Sequence, residues 1–249
     1  NEDPLLGITE IAEPVGVVCG IVPTTNPTST VIFKSLICLK TRNPIIFSFH
    51  PSAHACSVMA AVVIRDAAIA AGAPEDCIQW LDLKSMYATT ALMKHPGVAT
   101  ILATGGNAMV AAAYSCGKPA LGVGAGNVPA YVEKTCVLPR AVNDIVLSKS
   151  FDNGMICASE QAAIVDTEIY DAFMKEIKRF KVYFVNKEEK AKLETFMFGA
   201  VAYSDNVNAA KLNPNVVGKP ATWIAEQAGF KVPEDTQIIC AECKEVGPN

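Results

Sequence analysis

Short β-branched runs alternate with longer alanine-rich segments from residue 14 to about residue 150, and this alternation constrains the fold more than any other feature. Such a pattern is typical of βαβ units, in which helices join parallel strands. The strand candidates are short and apolar, as buried parallel strands are. They are residues 15–21, 44–49, 78–81, 99–103, 120–123 and 129–132. The sequence therefore predicts an α/β fold with a parallel sheet and flanking helices.

Helix candidates lie between these runs, at about residues 29–40, 52–71, 85–95 and 107–116. Several have Ser or Asn near the start and Gly or Asn just past the end, as capping requires. After Cys157 the pattern restarts, with strands at 162–165 and 237–240 and helices at 169–180, 187–195 and 221–229. This second block has too few strands for a sheet of its own. We therefore predict one domain over residues 1–148 and part of a second over 149–249.

Composition excludes several classes of protein. The chain has 249 residues, 51% of them hydrophobic, and can bury a full core. A net charge of −4 with both signs mixed argues against nucleic-acid binding. The most apolar helical run, 56–72, contains Arg65 and Asp66, and no basic-then-apolar leader is present, so we expect neither a membrane span nor a signal sequence. Nine scattered cysteines indicate a reducing compartment, the cytoplasm.

Cys240 and Cys243 form a lone CxxC pair, the spacing that most resembles part of a metal site. A structural zinc ion requires four ligands. The histidines, His50, His54 and His95, lie far from this pair in sequence. We therefore predict no metal.

A first glycine-rich segment, Thr104-Gly105-Gly106, follows a predicted strand and precedes a predicted helix. The amide groups and the positive end of a helix at such a position can bind a phosphate or the edge of a nicotinamide ring. A tight turn that only needs glycine explains the segment equally well.

A second glycine-rich segment, residues 122–127, looks more like a dinucleotide fingerprint and contains Gly122 and Gly124. A strand candidate follows it instead of a helix, so the context that the fingerprint requires is missing. These glycines let the backbone pass close to a ligand or to another loop, or they form a purely structural turn.

Cys157 lies in a short polar turn, residues 151–161, with apolar chain on both sides. A thiol placed so is a candidate nucleophile for a carbonyl group, provided that its surroundings lower its pKa from about 8.5. Attack on an aldehyde or thioester gives a tetrahedral oxyanion, which the amide of Asn26 and the backbone N–H of Cys157 are suited to bind. The alternatives are a buried, inert thiol and an Asn-Pro turn that caps the following helix.

Four motifs in sequence order together resemble one known family. They are residues 23–30, 104–106, 122–127 and 151–161. Their order and spacing are similar to those in the aldehyde dehydrogenase half of bifunctional aldehyde-alcohol dehydrogenases, and the resemblance covers nearly the whole chain. It implies an NAD-binding, Rossmann-like domain, here residues 1–148, followed by part of the catalytic domain that carries the cysteine, here 149–249.

The resemblance implies a CoA-acylating acetaldehyde dehydrogenase. Cys157 adds to acetaldehyde, Asn26 holds the oxyanion, hydride passes to NAD, and the thioester is released to coenzyme A. In fermenting cells the reverse direction forms acetaldehyde for ethanol production. The implied cofactor-binding residues are Thr24, Thr25, His50, Pro51, Thr104, Gly105, Gly106, Gly122 and Gly124.

Two departures from the wider family bear on these expectations. Hydrolytic members have a glutamate base in the segment that matches residues 122–129, where this chain has no carboxylate, so transfer to a thiol is the expected exit. Other members place a lysine and, three residues on, a glutamate around the adenosine ribose, whereas residues 50–53 read His-Pro-Ser-Ala. The carboxylate that favours NAD over NADP is therefore missing.

The resemblance also implies that the chain is an internal part of a longer protein. It would lack the rest of the catalytic domain and the iron-dependent alcohol dehydrogenase half, and would turn over poorly by itself. The full-length protein is expected to act on small molecules as a homo-oligomer. The alternatives are a hydrolytic aldehyde or semialdehyde dehydrogenase and a structural module for filament assembly.

Overall fold

The computed structural model describes residues 2–124, 126–199 and 212–243. The chain forms two compact units, Asn1–Ala125 and Gly126–Asn249. Each unit has its own buried apolar core.

A five-stranded parallel sheet forms the centre of the first unit. A short antiparallel pair precedes it, formed by β1 (Glu2–Asp3) and β2 (Ile8–Thr9). The strands of the sheet are β3 (Val17–Val22), β4 (Ile45–Phe49), β5 (Ile78–Trp80), β6 (Val98–Thr104) and β7 (Ala120–Val123). Their spatial order is β5-β4-β3-β6-β7, which matches five of the six strands of a Rossmann-type sheet. The predicted α/β class with a parallel sheet is confirmed.

Four helices cover the two faces of this sheet. They are α1 (Pro27–Lys40), α2 (His54–Ala70), α3 (Met86–Lys94) and α4 (Asn107–Tyr114). Val18 and Val22 of β3 belong to the cluster that contains residues of α1 and α2, whereas Cys19 and Ile21 belong to the cluster with α3 and α4. Because successive side chains of a strand point to opposite faces, burial on both faces explains why β3 is apolar throughout.

The segment Pro51–Ala70 is long and apolar enough, by length and composition alone, to cross a membrane. A single helix of this kind is weak evidence for a span. In the structure α2 packs against α1, and it buries Ser57 and Ala61 completely. Arg65 forms an ion pair with Asp66 at 2.9 Å, as fits a helix on the surface of a sheet.

Within residues 126–199 and 212–243, the second unit contains two pairs of parallel strands instead of one larger sheet. β8 (Pro129–Val132) pairs with β9 (Ala162–Val165), and β10 (Val182–Phe184) pairs with β11 (Ile238–Cys240). The helices are α5 (Leu138–Ser150), α6 (Tyr170–Ile177), α7 (Lys187–Phe198) and α8 (Ala221–Gln227). The buried core residues are Val132, Val142, Val146, Phe173 and Ile177.

Two features of the second unit differ from the sequence analysis. The unit begins at Gly126 and not near residue 149, because β8 pairs with β9 and α5 packs against α6. No helix was predicted over α5, although Leu138, Val142 and Ile145 recur at helical spacing and Pro139 occupies its first turn. The functional roles predicted for the two domains stay predictions.

Candidate functional site

The carboxyl ends of β3 and β6 meet at the point where the strand order of the sheet reverses. In open α/β sheets, ligands bind in the crevice outside this point. Pairing between the two strands ends at Ile21 and Ala103. The loops that follow, residues 23–26 and 104–106, contain two of the motifs found in the sequence. The topology therefore brings these motifs to one edge of the sheet.

Asn26 occupies the N-cap position of α1, but its side chain makes no capping hydrogen bond. The backbone carbonyl of Asn26 instead accepts from the hydroxyl of Thr30 at 2.8 Å and from its amide at 3.2 Å. The hydroxyl of Thr25 donates to Oδ1 of Asn26 at 3.3 Å. The Nδ2 group, which could donate to an oxyanion, donates to no described residue. The capping alternative therefore does not account for the Asn26 side chain.

Thr24 is connected to the loop after β4 through Ser52, which the sequence analysis did not select. The hydroxyl of Ser52 lies 3.0 Å from Oγ1 of Thr24 and 2.7 Å from Nδ1 of His50. The amide of Ser52 also donates to Nδ1 of His50, at 3.3 Å. Because Nδ1 is thus an acceptor, the proton of the neutral ring lies on Nε2. Thr24, His50 and the exposed Pro51 all lie at the same edge of the sheet.

The turn between β6 and α4 does not need its two glycines for conformational freedom. Neither Gly105 nor Gly106 has a positive φ, and Gly106 is extended, with φ −66° and ψ 158°. A Cβ atom at Gly106 would meet nothing within 4 Å, and one at Gly105 would make only an ordinary contact of 3.6 Å with Met109. The space before this loop is open beside the start of α4, which carries the positive end of the helix dipole. This arrangement fits a phosphate or a nicotinamide better than a structural turn.

Gly122 and Gly124 have a packing explanation. A Cβ atom at Gly122 would lie 2.6 Å from Cγ1 of Val110, and one at Gly124 would lie 2.7 Å from Oδ1 of Asn107. Tyr114 also accepts a hydrogen bond from the amide of Gly122 at 3.0 Å. These glycines allow α4 to approach β7 closely, and a role in cofactor binding stays a prediction.

Lys34 is a buried charged residue that the sequence analysis did not select. Its side chain is 3% exposed, and Nζ donates to the carbonyls of Ile21 and Leu102, both at 2.6 Å. Burial lowers the pKa of Lys34 to about 7, while the neighbouring thiols of Cys19 and Cys38 act in the opposite direction. The only signal in the sequence is a lysine inside a mainly apolar helix, which usually indicates an exposed position.

Cys157 lies at the exposed end of a turn that has a buried anchor. The side chain of Ser159 is fully buried, and its hydroxyl donates to the carbonyl of Ile156 at 2.8 Å and lies 3.2 Å from that of Gly154. The amide of Gln161 donates to Val128 at 2.8 Å. The amide of Cys157 donates to no described residue, so it is available as an oxyanion donor.

The backbone before Cys157 adopts a conformation that is unfavourable for its residue types. Asp152 and Asn153 have φ values of 50° and 52°, in the left-handed region. Such conformations cost energy and concentrate at functional sites. The side-chain Nδ2 group of Asn153 donates to the backbone carbonyl of Gly218 at 3.1 Å, and this contact anchors the turn.

Two titratable side chains flank the same turn. A Cβ atom at Gly154, which has φ 68°, would lie 3.1 Å from Nζ of Lys149. Burial lowers the pKa of Lys149, and the charge of Glu160 opposes this shift. Oε2 of Glu160 is buried without a hydrogen-bond partner. The side chains of Lys149 and Glu160 therefore lie beside this turn without a hydrogen bond to any described residue.

The nine cysteines are all free, and they differ in their exposure. Cys19, Cys38 and Cys77 are buried, and burial raises the pKa of Cys19 to about 12 and that of Cys38 to about 11. Cys157 is exposed, so the interpretation as a buried, inert thiol does not apply to it. Asn26 and Cys157 belong to different units, and their joint role stays a prediction.

Metal ligands do not come together in the part of the chain that the structure describes. Within residues 2–124, 126–199 and 212–243, no three His, Cys, Asp or Glu side chains are placed to hold an ion. The thiol of Cys243 instead lies 3.7 Å from Nζ of Lys190.

Residues 7–210 match the aldehyde dehydrogenase family, and the chain belongs to this family. It is 71% identical over 249 residues to aldehyde-alcohol dehydrogenase 2 of Entamoeba histolytica. The matched region covers 100% of this chain and 29% of that protein. The predicted resemblance to the aldehyde dehydrogenase half of bifunctional aldehyde-alcohol dehydrogenases is confirmed. The chain spans less than a third of the length of this curated relative.

Two solved structures extend the comparison. An acetylating aldehyde dehydrogenase from Geobacillus thermoglucosidasius is 48% identical with a TM-score of 0.86, over 95% of this chain and 50% of that one. A propionaldehyde dehydrogenase from Rhodopseudomonas palustris, with bound CoA and an acylated cysteine, is 34% identical with a TM-score of 0.83, over 95% and 52%. Both are similar over nearly the whole of this chain.

Proposed function

We propose that the protein is a CoA-acylating acetaldehyde dehydrogenase that interconverts acetyl-CoA and acetaldehyde with NADH and NAD. The observation that carries this proposal is the exposed Cys157 on an anchored, left-handed turn, in a chain of the aldehyde dehydrogenase family. Similarity to an acetylating enzyme and to one with an acylated cysteine supports the same chemistry. In the full-length protein this reaction would serve ethanol fermentation.

In the proposed reaction, the thiolate of Cys157 adds to the carbonyl carbon of acetaldehyde and forms a C–S bond. The side-chain amide of Asn26 and the backbone N–H of Cys157 are the proposed donors to the oxyanion, and such donors lower the barrier of the reaction. When bound, a nicotinamide cofactor would accept the hydride in this direction and supply it in the reverse direction. The resulting thioester on Cys157 transfers its acyl group to the thiolate of CoA, and the C–S bond to Cys157 breaks to release the Cys157 thiolate.

The cofactor is proposed to bind at the carboxyl edge of the first sheet. Open space before Gly105 and Gly106, and the hydrogen-bonded group of Thr24, Ser52 and His50, fit a nucleotide there. The full set of proposed contacts is Thr24, Thr25, His50, Pro51, Thr104, Gly105, Gly106, Gly122 and Gly124. The first unit would then be the dinucleotide-binding domain, and the second would be the partial catalytic domain.

Release to CoA distinguishes this proposal from a hydrolytic enzyme. Residues 122–129 contain no carboxylate, so the segment has no base to activate water. In an assay of the full-length protein with acetaldehyde and NAD, we expect acetyl-CoA and NADH only when CoA is present. Acetate formed at the same rate without CoA would contradict the proposal and favour the hydrolytic alternative.

The cellular setting is proposed from the same observations. Nine free cysteines fit a reducing compartment, and we propose the cytoplasm. The substrates are small molecules, and we propose that the full-length protein forms a homo-oligomer. Sedimentation of the purified full-length protein tests the oligomer, and a monomer at micromolar concentration would contradict it.

A further inference from the structure

Lys34 is held in place by backbone carbonyls of the two central strands. Its Nζ atom donates to Ile21 of β3 and to Leu102 of β6, both at 2.6 Å. Hydrogen bonds of a charged donor at this length are strong. No carboxylate within the described residues forms an ion pair with Lys34, and its side chain is almost completely buried.

Both carbonyls lie where β3 and β6 begin to separate. The pairing of the two strands ends at Ile21 and Ala103, and Leu102 directly precedes that last pair. One residue beyond this point β3 ends, and the loop 23–26 begins. Lys34 itself belongs to α1, the helix that starts directly after Asn26. One ammonium group thus connects the ends of both strands to the helix that follows Asn26.

A buried lysine costs more free energy at this position than an apolar residue would. Taking an unpaired ammonium out of water costs free energy, and an apolar side chain of similar volume avoids that cost. The carbonyls of Ile21 and Leu102 gain a donor that an apolar residue cannot provide. The hydrogen bonds from Lys34 to the ends of β3 and β6 therefore explain why a charged residue occupies this position, whereas packing does not.

We infer that Lys34 is a positioning residue for the nicotinamide cofactor, because its ammonium fixes the spacing between the loops 23–26 and 104–106. This inference rests on the proposed function, since these loops are the proposed cofactor site. Lys34 lies beneath the crevice and acts through the strand ends, so it is not a catalytic residue.

Protonation of Lys34 should then control cofactor affinity near neutral pH. The titratable groups that act on it are the thiols of Cys19 on β3 and Cys38 on α1, and from β6 it meets the Leu102 carbonyl. Burial raises the pKa of both thiols, so they stay neutral up to at least pH 9. The pKa of Lys34 is about 7. As the pH rises through 7, the amine loses its charge, its hydrogen bonds weaken, and the loops become less fixed.

The test is the dissociation constant of NADH, measured by fluorescence from pH 6 to pH 9 with the full-length protein. We compare the wild type with Lys34→Met, Lys34→Arg and the control Lys40→Met, whose lysine is exposed on the same helix. The wild type should lose affinity several-fold as the pH rises. Lys34→Met should bind about tenfold more weakly at pH 6, the equivalent of one charged hydrogen bond, with a flat profile.

A second variant and a second readout separate positioning from general damage. Lys34→Arg keeps a charge at every pH and should flatten the profile. The KM for NADH of Lys34→Met should rise by a larger factor than its kcat falls, because Cys157 is unchanged and the variant acts on the loops of the proposed cofactor site.

Several results would overturn the inference. A Lys34→Met variant with the affinity and pH profile of the wild type would do so. If Lys34→Met does not fold, an unchanged slope in Lys34→Arg, or a flat profile in the wild-type protein, has the same meaning. A wild-type protein that does not bind NADH or form acyl-CoA would instead contradict the proposed function.

Discussion

The loops at the carboxyl edge of the first sheet and the turn around Cys157 differ in how their backbones are held. The loop 23–26 follows a regular strand and leads into α1, and none of its residues has a positive φ. The Cys157 turn has two non-glycine residues, Asp152 and Asn153, in the left-handed region. The sheet topology and the hydrogen bonds of Lys34 and Ser52 place the first region, whereas a left-handed backbone and anchoring contacts place the second. The proposed cofactor site and the proposed nucleophile are therefore held in place by different kinds of interaction.

Each region also contains a lysine whose pKa is lowered by burial. The ammonium group of Lys34 donates hydrogen bonds to two backbone carbonyls of the sheet. Lys149 makes no hydrogen bond within the described residues, and the charge of Glu160 opposes the lowering of its pKa. The first lysine joins two strands, and the second lies against the turn before Cys157. Variants in the two regions should therefore differ in their effects on kcat and on stability.

Replacing the nucleophile should have the largest effect. We expect Cys157→Ala to lower kcat for CoA-dependent acetaldehyde oxidation by about a thousandfold or more, because no covalent intermediate can form. Cys56→Ala and Cys243→Ala, which change other exposed thiols, should have nearly wild-type activity. Comparable losses in all three variants would mean that Cys157 has no special role.

Removing the proposed oxyanion donor should have the second largest effect. Asn26→Ala should lower kcat about a hundredfold. Its free energy of unfolding should stay within about 0.5 kcal/mol of wild type, because the side chain does not cap α1. Loss of a true cap would cost about 1 kcal/mol. Asn26→Asp has the same shape without N–H donors and should be equally slow; full activity in Asn26→Asp would exclude the donor role.

Adding a side chain at Gly154, in the turn before Cys157, should have a moderate effect on kcat. Gly154→Ala places a Cβ atom at φ 68°, 3.2 Å from the carbonyl oxygen of Lys149. We expect about a tenfold loss of kcat and a destabilisation of about 1–2 kcal/mol from the left-handed backbone. Gly117→Ala has a similar φ of 72° with no atom near the added Cβ, so it should lose stability but keep its activity. Equal kcat in the two variants would show that the turn geometry does not matter.

The smallest effect concerns the pH dependence of stability. Burial lowers the pKa of Lys34 from 10.5 to about 7, so between pH 7 and 9 the unfolded chain binds a proton that the native state has lost. The free energy of unfolding should therefore rise with pH, by up to about 1.4 kcal/mol per unit from this group. Above pH 9 the raised pKa values of Cys19 and Cys38 act in the opposite direction.

Urea unfolding from pH 6.5 to pH 9 measures this contribution as the difference between wild type and Lys34→Met. The difference in slope between the two proteins should be positive, since only the wild type has the titrating amine. Parallel curves for the two proteins would show that Lys34 keeps its proton throughout this range.

The regular part of the fold was predictable because its signals are local. Strands 120–123 and 129–132 have the predicted bounds, since each is a short apolar run between turn residues. The partner of 129–132 was not predictable, because pairing with β9 joins segments about 30 residues apart. α5 carried a helical pattern that the sequence analysis did not use.

The candidate site was predictable only where residue type carries the chemistry. Cys157, Asn26 and the glycine-rich loop stand out as unusual residues at the ends of apolar runs. Ser52 connects Thr24 to His50 only because β3 and β4 are neighbours in the sheet. The proposed role of Lys34 depends on its position next to the point where β3 and β6 separate. The helical pattern of α1 does not show which of its residues faces that point.

The central claim is that Cys157 forms a thioester, and the most direct measurement is peptide mass spectrometry of the full-length protein after incubation with acetyl-CoA in the absence of NADH. We predict one acetyl group, on Cys157, that is lost when free CoA is added in excess, and none on Cys56 or Cys243. Acetylation spread over the exposed cysteines, or absent from Cys157 in a protein that forms acetaldehyde once NADH is added, would contradict the claim.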